Sequence, residues 1–159
     1  MIVLAACGKA EAVPQPPVQP PATWHELGEL ATAVADAAKA EGASVDGAAA
    51  WGEPAMGCYA AWLALHGAAA APDTIAQQLL GGLPFDPHLV GIAVSEVVRP
   101  AAGADRGTLS LAFERAPYRG RLRAQLASDG AISALACFWN DREPLACSEG
   151  CTKLIGSMP

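Results

Sequence analysis

Ala55–His66, AMGCYAAWLALH, is the stretch on which the fold turns. Counted at helical spacing, Cys58, Trp62 and Leu65 share one face, Tyr59, Leu63 and His66 lie beside it, and Gly67 follows as a stop. The spacing predicts a helix over 55–66, buried in the core. The longest uncharged run, Pro54–Pro72, is bounded by prolines and interrupted by Gly57, His66 and Gly67, which argues against a membrane span.

Towards the N-terminus, Thr23-x-x-Glu26 forms a capping box. Trp24, Leu27, Leu30 or Ala31, Val34 and Ala38 then recur at helical spacing up to Gly42, predicting a first helix over 24–41. Towards the C-terminus, a short third helix is expected over 73–80, between Pro72 and Gly81-Gly82. Past the turn-rich Leu83–His88 segment the apolar period drops to two. Ile92, Val94, Val97 and Val98 mark a strand over 90–98, Leu109, Leu111 and Phe113 one over 107–114, and Leu122, Ala124 and Leu126 one over 119–127. Ser128-Asp129-Gly130-Ala131 is a hairpin signal, leading to a fourth strand over 131–139. A last helix runs from about Pro144 to Leu154 or Ile155. The expected class is α+β: N-terminal helices packed on a four-stranded antiparallel meander, with a short C-terminal helix.

The chain has 159 residues, 52% hydrophobic and 16% charged, with much of the apolar share in alanine. Glu11–Pro21, EAVPQPPVQPP, holds five prolines and no periodicity, so residues 8–22 are read as an extended tether. At about 3.1 Å per residue, such a segment reaches roughly 30–40 Å. Residues 23–159 are then one domain, long enough to bury a sizeable core.

Cys58, Cys137, Cys147 and Cys151 are an even set in that domain and read as two disulfides of an oxidising compartment. Cys147 and Cys151 lie side by side on one helix and are the least suited to bond each other. Cys137–Cys147 with Cys58–Cys151 is the preferred pairing, and the crossed arrangement is the alternative. No CxxC pair occurs, and His25, His66 and His88 are scattered, so no metal or cofactor is expected.

Charge is uneven: residues 1–98 carry ten acids against two bases, and 99–159 six acids against eight bases. Arg119, Arg121 and Arg123 alternate with apolar residues, which puts three guanidiniums on the face opposite Leu122 and Leu126. If Asp129-Gly130 makes a two-residue turn, Arg121 faces Phe138 and Leu122 faces Cys137. Phe138 then stands exposed among the arginines, while Leu135, Cys137 and Trp139 face the core. This patch suits an anionic partner, such as a lipid headgroup or an acidic protein segment. Solvated ladder residues paired with Glu96 or Glu114 are the plainer explanation.

No phosphate loop, G-x-S-x-G elbow or H-E-x-x-H motif is present, and no nucleic-acid partner is expected. His25-Glu26 and His66 with Asp73 are the acid/base pairings to consider, and no catalytic residue is assigned.

Leu4-Ala5-Ala6-Cys7, followed by Gly8-Lys9, resembles the lipobox of bacterial lipoproteins. The resemblance implies a lipid (diacylglyceryl and palmitate) on Cys7 and a mature chain starting there. Met1-Ile2-Val3 reads as the tail of a signal peptide whose beginning is missing. Gly8 in place of the aspartate that retains many such proteins at the inner membrane implies the periplasmic side of the outer membrane. The reading is a lipid-anchored, non-enzymatic interaction or assembly module, bound to the membrane through Cys7 and to an envelope protein through its sheet. The alternative is a small periplasmic pocket protein that binds or hydrolyses a small molecule.

Overall fold

Cys58–His66 is a strand, and that overturns the expected architecture. The structure is a computed structural model and describes residues 13–40, 42–66, 92–101, 104, 106–140, 142 and 145–159. Among these residues the chain forms β1 (His25–Glu26), α1 (Gly28–Ala40), β2 (Ser44–Glu53), β3 (Cys58–His66) and β4 (Ala93–Val98). It continues through β5 (Gly107–Arg115), β6 (Tyr118–Leu126), β7 (Ala131–Asn140) and α2 (Leu145–Ser157). The strands make one antiparallel sheet in the order β1-β2-β3-β7-β6-β5-β4. Among the described residues, seven strands and two α-helices therefore replace the expected four-stranded meander beneath N-terminal helices. The expected helix over 73–80, Asp73 and His88 lie outside the described residues.

The misreading of 55–66 has a physical cause. β3 runs between β2 and β7, and Cys58 and Ala60–Leu65 are all buried. A strand covered on both faces shows a continuous apolar run instead of alternation, and such a run has no period that separates it from a buried helix. Ala61, Leu63 and Leu65 go to one core cluster; Ala60, Trp62 and Ala64 go to the other. A short turn, Pro54–Met56 and then Gly57 at φ 65°, joins β2 to β3.

The first helix starts later than expected. His25 and Glu26 pair with Gly52 and Trp51 of β2, and α1 begins at Gly28. Leu30, Val34, Ala35 and Ala38 are its buried stripe, lying on β2 and β3. Gly42 at φ 87° ends it: Gly42 N–H donates to Lys39 O, and Ala43 N–H to Ala38 O. These two bonds satisfy carbonyls that the last turn would leave bare.

The second face carries the other cluster. α2 lies over β7 and β6, with Cys147, Cys151 and Leu154 buried. Disulfides Cys58–Cys147 and Cys137–Cys151 tie it to two neighbouring strands, with Cα–Cα distances of 5.4 and 5.3 Å. Two disulfides are thus present, in the crossed pairing instead of the preferred one. All four tryptophans belong to this cluster or pack against it. Residues 13–21 of the proline-rich segment lie along this face too. Val18 is 8% exposed within the cluster, and Pro21 O accepts from Trp24 N–H. Burying one valine contributes about 1.5 kcal/mol. Among the described residues, no helix is long and apolar enough to cross a membrane.

Candidate interaction surface

β6 and β7 set the geometry of the arginines, and the connection between them sets the register. Ala127 N–H donates to Ala131 O, Gly130 N–H to Ala127 O, and Ala131 N–H to Asp129 Oδ1, with Gly130 at φ 83°. The loop is therefore three residues, Ser128–Gly130, with glycine in the left-handed position, instead of a two-residue turn. That single residue shifts every pair: Arg121 faces Cys137, Leu122 faces Ala136, and Gly120 faces Phe138. Because side chains alternate along a strand, a slip of one moves Phe138 to the opposite face.

Phe138 is accordingly a core residue, 1% exposed. It stacks on Tyr59 with centroids 5.2 Å apart and planes 9° apart, and meets Tyr118 edge-on at 6.2 Å. Tyr118 also meets Tyr59 edge-on, at 6.1 Å. The Tyr59 phenol is held above its ordinary value of 10.0, first by burial and then by the charge and hydrogen bond of Tyr118. Gly120 is small for a reason: a Cβ there would run into the Phe113 ring and the Cys137 carbonyl.

Arg119, Arg121 and Arg123 do share one face, but with Leu135, Cys137 and Trp139 rather than opposite them. Trp139, the cross-strand partner of Arg119, is the aromatic residue beside the stripe. Arg119 Nε lies 3.6 Å from Glu114 Oε1, and the two residues are direct cross-strand partners. Arg121 Nη1 donates to Glu96 Oε2 at 3.0 Å. Glu96 reaches it through a break in the β4–β5 register, where its φ is 50°, an uncommon conformation for a residue with a Cβ. Arg123 lies between Ser110 and Leu135, its Nε buried and without a hydrogen-bond partner. Two arginines are thus matched by glutamates, and the stripe keeps one net positive charge over its five ionic groups. Exposed pairs of this kind contribute only a few tenths of a kcal/mol each.

Cover over this face is uneven. The strap (residues 13–21) and α2 lie on the β2–β3–β7–β6 side. At the other end Ala93, Ser95 and Glu114 are exposed, and Val98 is 61% exposed on edge strand β4.

The acid/base candidates separate. His25 is exposed on β1. His66 Nδ1 pairs with Asp46 Oδ2 at 2.8 Å, both well exposed at the β2–β3 end. Asp46 is the extra residue where the register shifts between Val45 and Gly47, an irregularity that no sequence spacing announces. Cavities of about 500, 520 and 450 Å³ flank the strap, and His66 lines none of these. Among the described residues, no three His, Cys, Asp or Glu side chains cluster as a metal site.

No protein-family model matches the chain, and no curated protein or solved structure matches it.

Proposed function

We propose that the protein is a lipid-anchored, non-enzymatic module of the cell envelope, on the periplasmic side of the outer membrane. It binds an acidic segment of another envelope protein through the β6–β5–β4 end of its second sheet face. The uneven cover of that face carries the reading: strap and α2 occupy one end, while the other presents Arg119, Arg121 and the exposed Val98 edge. The net positive charge of the stripe favours an acidic partner. Two disulfides support an oxidising compartment, and Leu4-Ala5-Ala6-Cys7 supports a lipid on Cys7.

The test has two arms. Expressed behind a signal peptide ending at Cys7, the protein should incorporate labelled fatty acid and fractionate with membranes, and Cys7→Ala should abolish both. Soluble behaviour of the wild type ends the anchored reading. Replacing Arg119, Arg121 and Arg123 by glutamine should keep the fold and weaken capture of an acidic envelope protein. Wild-type capture should fade with salt, since exposed charges are screened over about 8 Å at physiological ionic strength. A folded triple variant that captures the same protein at low salt places the contact elsewhere.

A further inference from the structure

We propose that the tryptophan-lined trough of the second face is a binding site for an extended proline-rich segment, and that the strap, residues 13–21, is its resident and displaceable occupant. The occupant is legible because it is seated there. Its sequence, VPQPPVQPP, holds five prolines, and extended proline-rich segments are bound by aromatic-lined grooves without losing much chain entropy. The trough is built to receive it. Gly47 leaves room for this approach: a Cβ there would stand a tight 3.1 Å from both Pro14 O and the Trp62 ring, and one of them would have to give way. Trp62 is pinned in place by donating its indole N–H to Ser133 Oγ at 2.9 Å. Val18 completes the cluster with Trp51 and Trp62, which are 7% and 2% exposed. Farther along, Pro21 lies by Gly150 of α2, where a Cβ would meet Pro21 Cγ at 3.9 Å and Trp24 Cζ2 at 3.5 Å.

The seat is nevertheless weak. Prolines donate no backbone hydrogen bonds, and Val18 is the only strap residue that is buried. Val13 is largely exposed, and cavities of about 500 and 450 Å³ open along the strap beside β2 and beside α2. A segment with one buried side chain, half-buried prolines, a backbone hydrogen bond at its Pro21 end and space beside it is loosely held. When it leaves, two indole rings are uncovered, and an apolar surface of that kind favours a replacement. The replacement it fits is another extended segment with an aliphatic residue between prolines, as in Pro17-Val18-Gln19-Pro20.

The test uses the full chain and the synthetic peptide VPQPPVQPP, with tryptophan emission and indole N–H signals as readouts. Val18→Asp should release the strap and shift emission to the red. Added peptide should reverse the shift saturably, and a peptide carrying aspartate in place of the second valine should not. The wild-type chain, its trough filled, should need at least tenfold more peptide, because apparent affinity falls with the fraction of open sites. Gly47→Ala leaves the strap sequence intact and presses a methyl against Pro14 O and the Trp62 ring. It supplies the same readout if Val18→Asp fails to form both disulfides. Unchanged emission in both variants, no reversal by the peptide, or equal binding of the two peptides would each overturn the proposal.

Discussion

Phe138→Ala separates the two registers of the β6–β7 hairpin. In the observed register the ring is 1% exposed, stacked on Tyr59 and edge-on to Tyr118. Truncating such a side chain costs about 3–5 kcal/mol, the lost transfer energy plus the cavity left behind. Loss of the aromatic pairs falls within that range, since each is worth about 0.5–1.5 kcal/mol beyond its area. For a domain of this size, about 2–4 °C of melting temperature accompanies each kcal/mol. The variant should therefore melt about 10 °C below the wild type with its disulfides intact. Denaturant unfolding should show a lower midpoint at unchanged slope. In the register shifted by one residue, Phe138 would stand among the arginines and its loss would cost less than about 0.5 kcal/mol. Arg121→Gln is the matched control: its pair with Glu96 is exposed, so the change should be equally slight. A melting temperature within about 2 °C of wild type for Phe138→Ala would refute the three-residue loop and everything placed by it.

Peptide mapping without reduction should recover Cys58 linked to Cys147 and Cys137 linked to Cys151; either other pairing would be incompatible with α2 as placed. Replacing Cys58 and Cys147 together, which opens the 89-residue separation, should cost about 4.6 kcal/mol, against about 3 kcal/mol for the 14-residue separation of Cys137 and Cys151. For Tyr59 the folded state holds the phenol proton more tightly than the unfolded chain does. Its contribution is thus fully present below pH 10.0 and is lost as the pH rises from there through the elevated folded value. Unfolding free energy should fall above that pH, and Tyr59→Phe should flatten the decline; an equal decline in the variant would assign it to other groups.

How far the sequence could be read varied with how many sides of each element are covered. β5 and β6 alternate apolar and polar residues, because one face packs and the other carries Arg119, Arg121, Arg123, Ser110 and Glu114. Their spans are legible to within about a residue. β3 and β2 are not, since alanines and tryptophans serve cores on both sides and leave no alternation to count. The arginine stripe was legible as three residues on one face, but its aromatic neighbour was not. Asp129-Gly130 serves both a two-residue and a three-residue hairpin: glycine takes a positive φ in either, and it is Asp129, at positive φ only in the two-residue type I′ turn and not so here, that distinguishes them. Glu96 and Asp46 each gain their partner through a register irregularity, which leaves no mark in local sequence.

The two disulfides and the strap answer one structural problem. A sheet with apolar side chains on both faces needs cover on both, and the chain supplies unequal covers. α1 brings four buried side chains to the first face. α2, thirteen residues long, buries only Cys147, Cys151 and Leu154, and two of those three are bonded to the sheet. A helix with so little apolar surface gains little from packing, and packing is what usually holds a short helix in place. The cysteines, one helical turn apart, fasten it to β3 and β7, strands whose Cys58 and Cys137 lie on the face α2 covers. Covalent links thus replace buried area, as they do in domains whose cores are thin. The rest of that face, over Trp51 and Trp62, is left to the strap, which has no such link. Of the covered end of the second face, the part under α2 is locked by oxidation, and the part under the strap is held by non-covalent contacts alone.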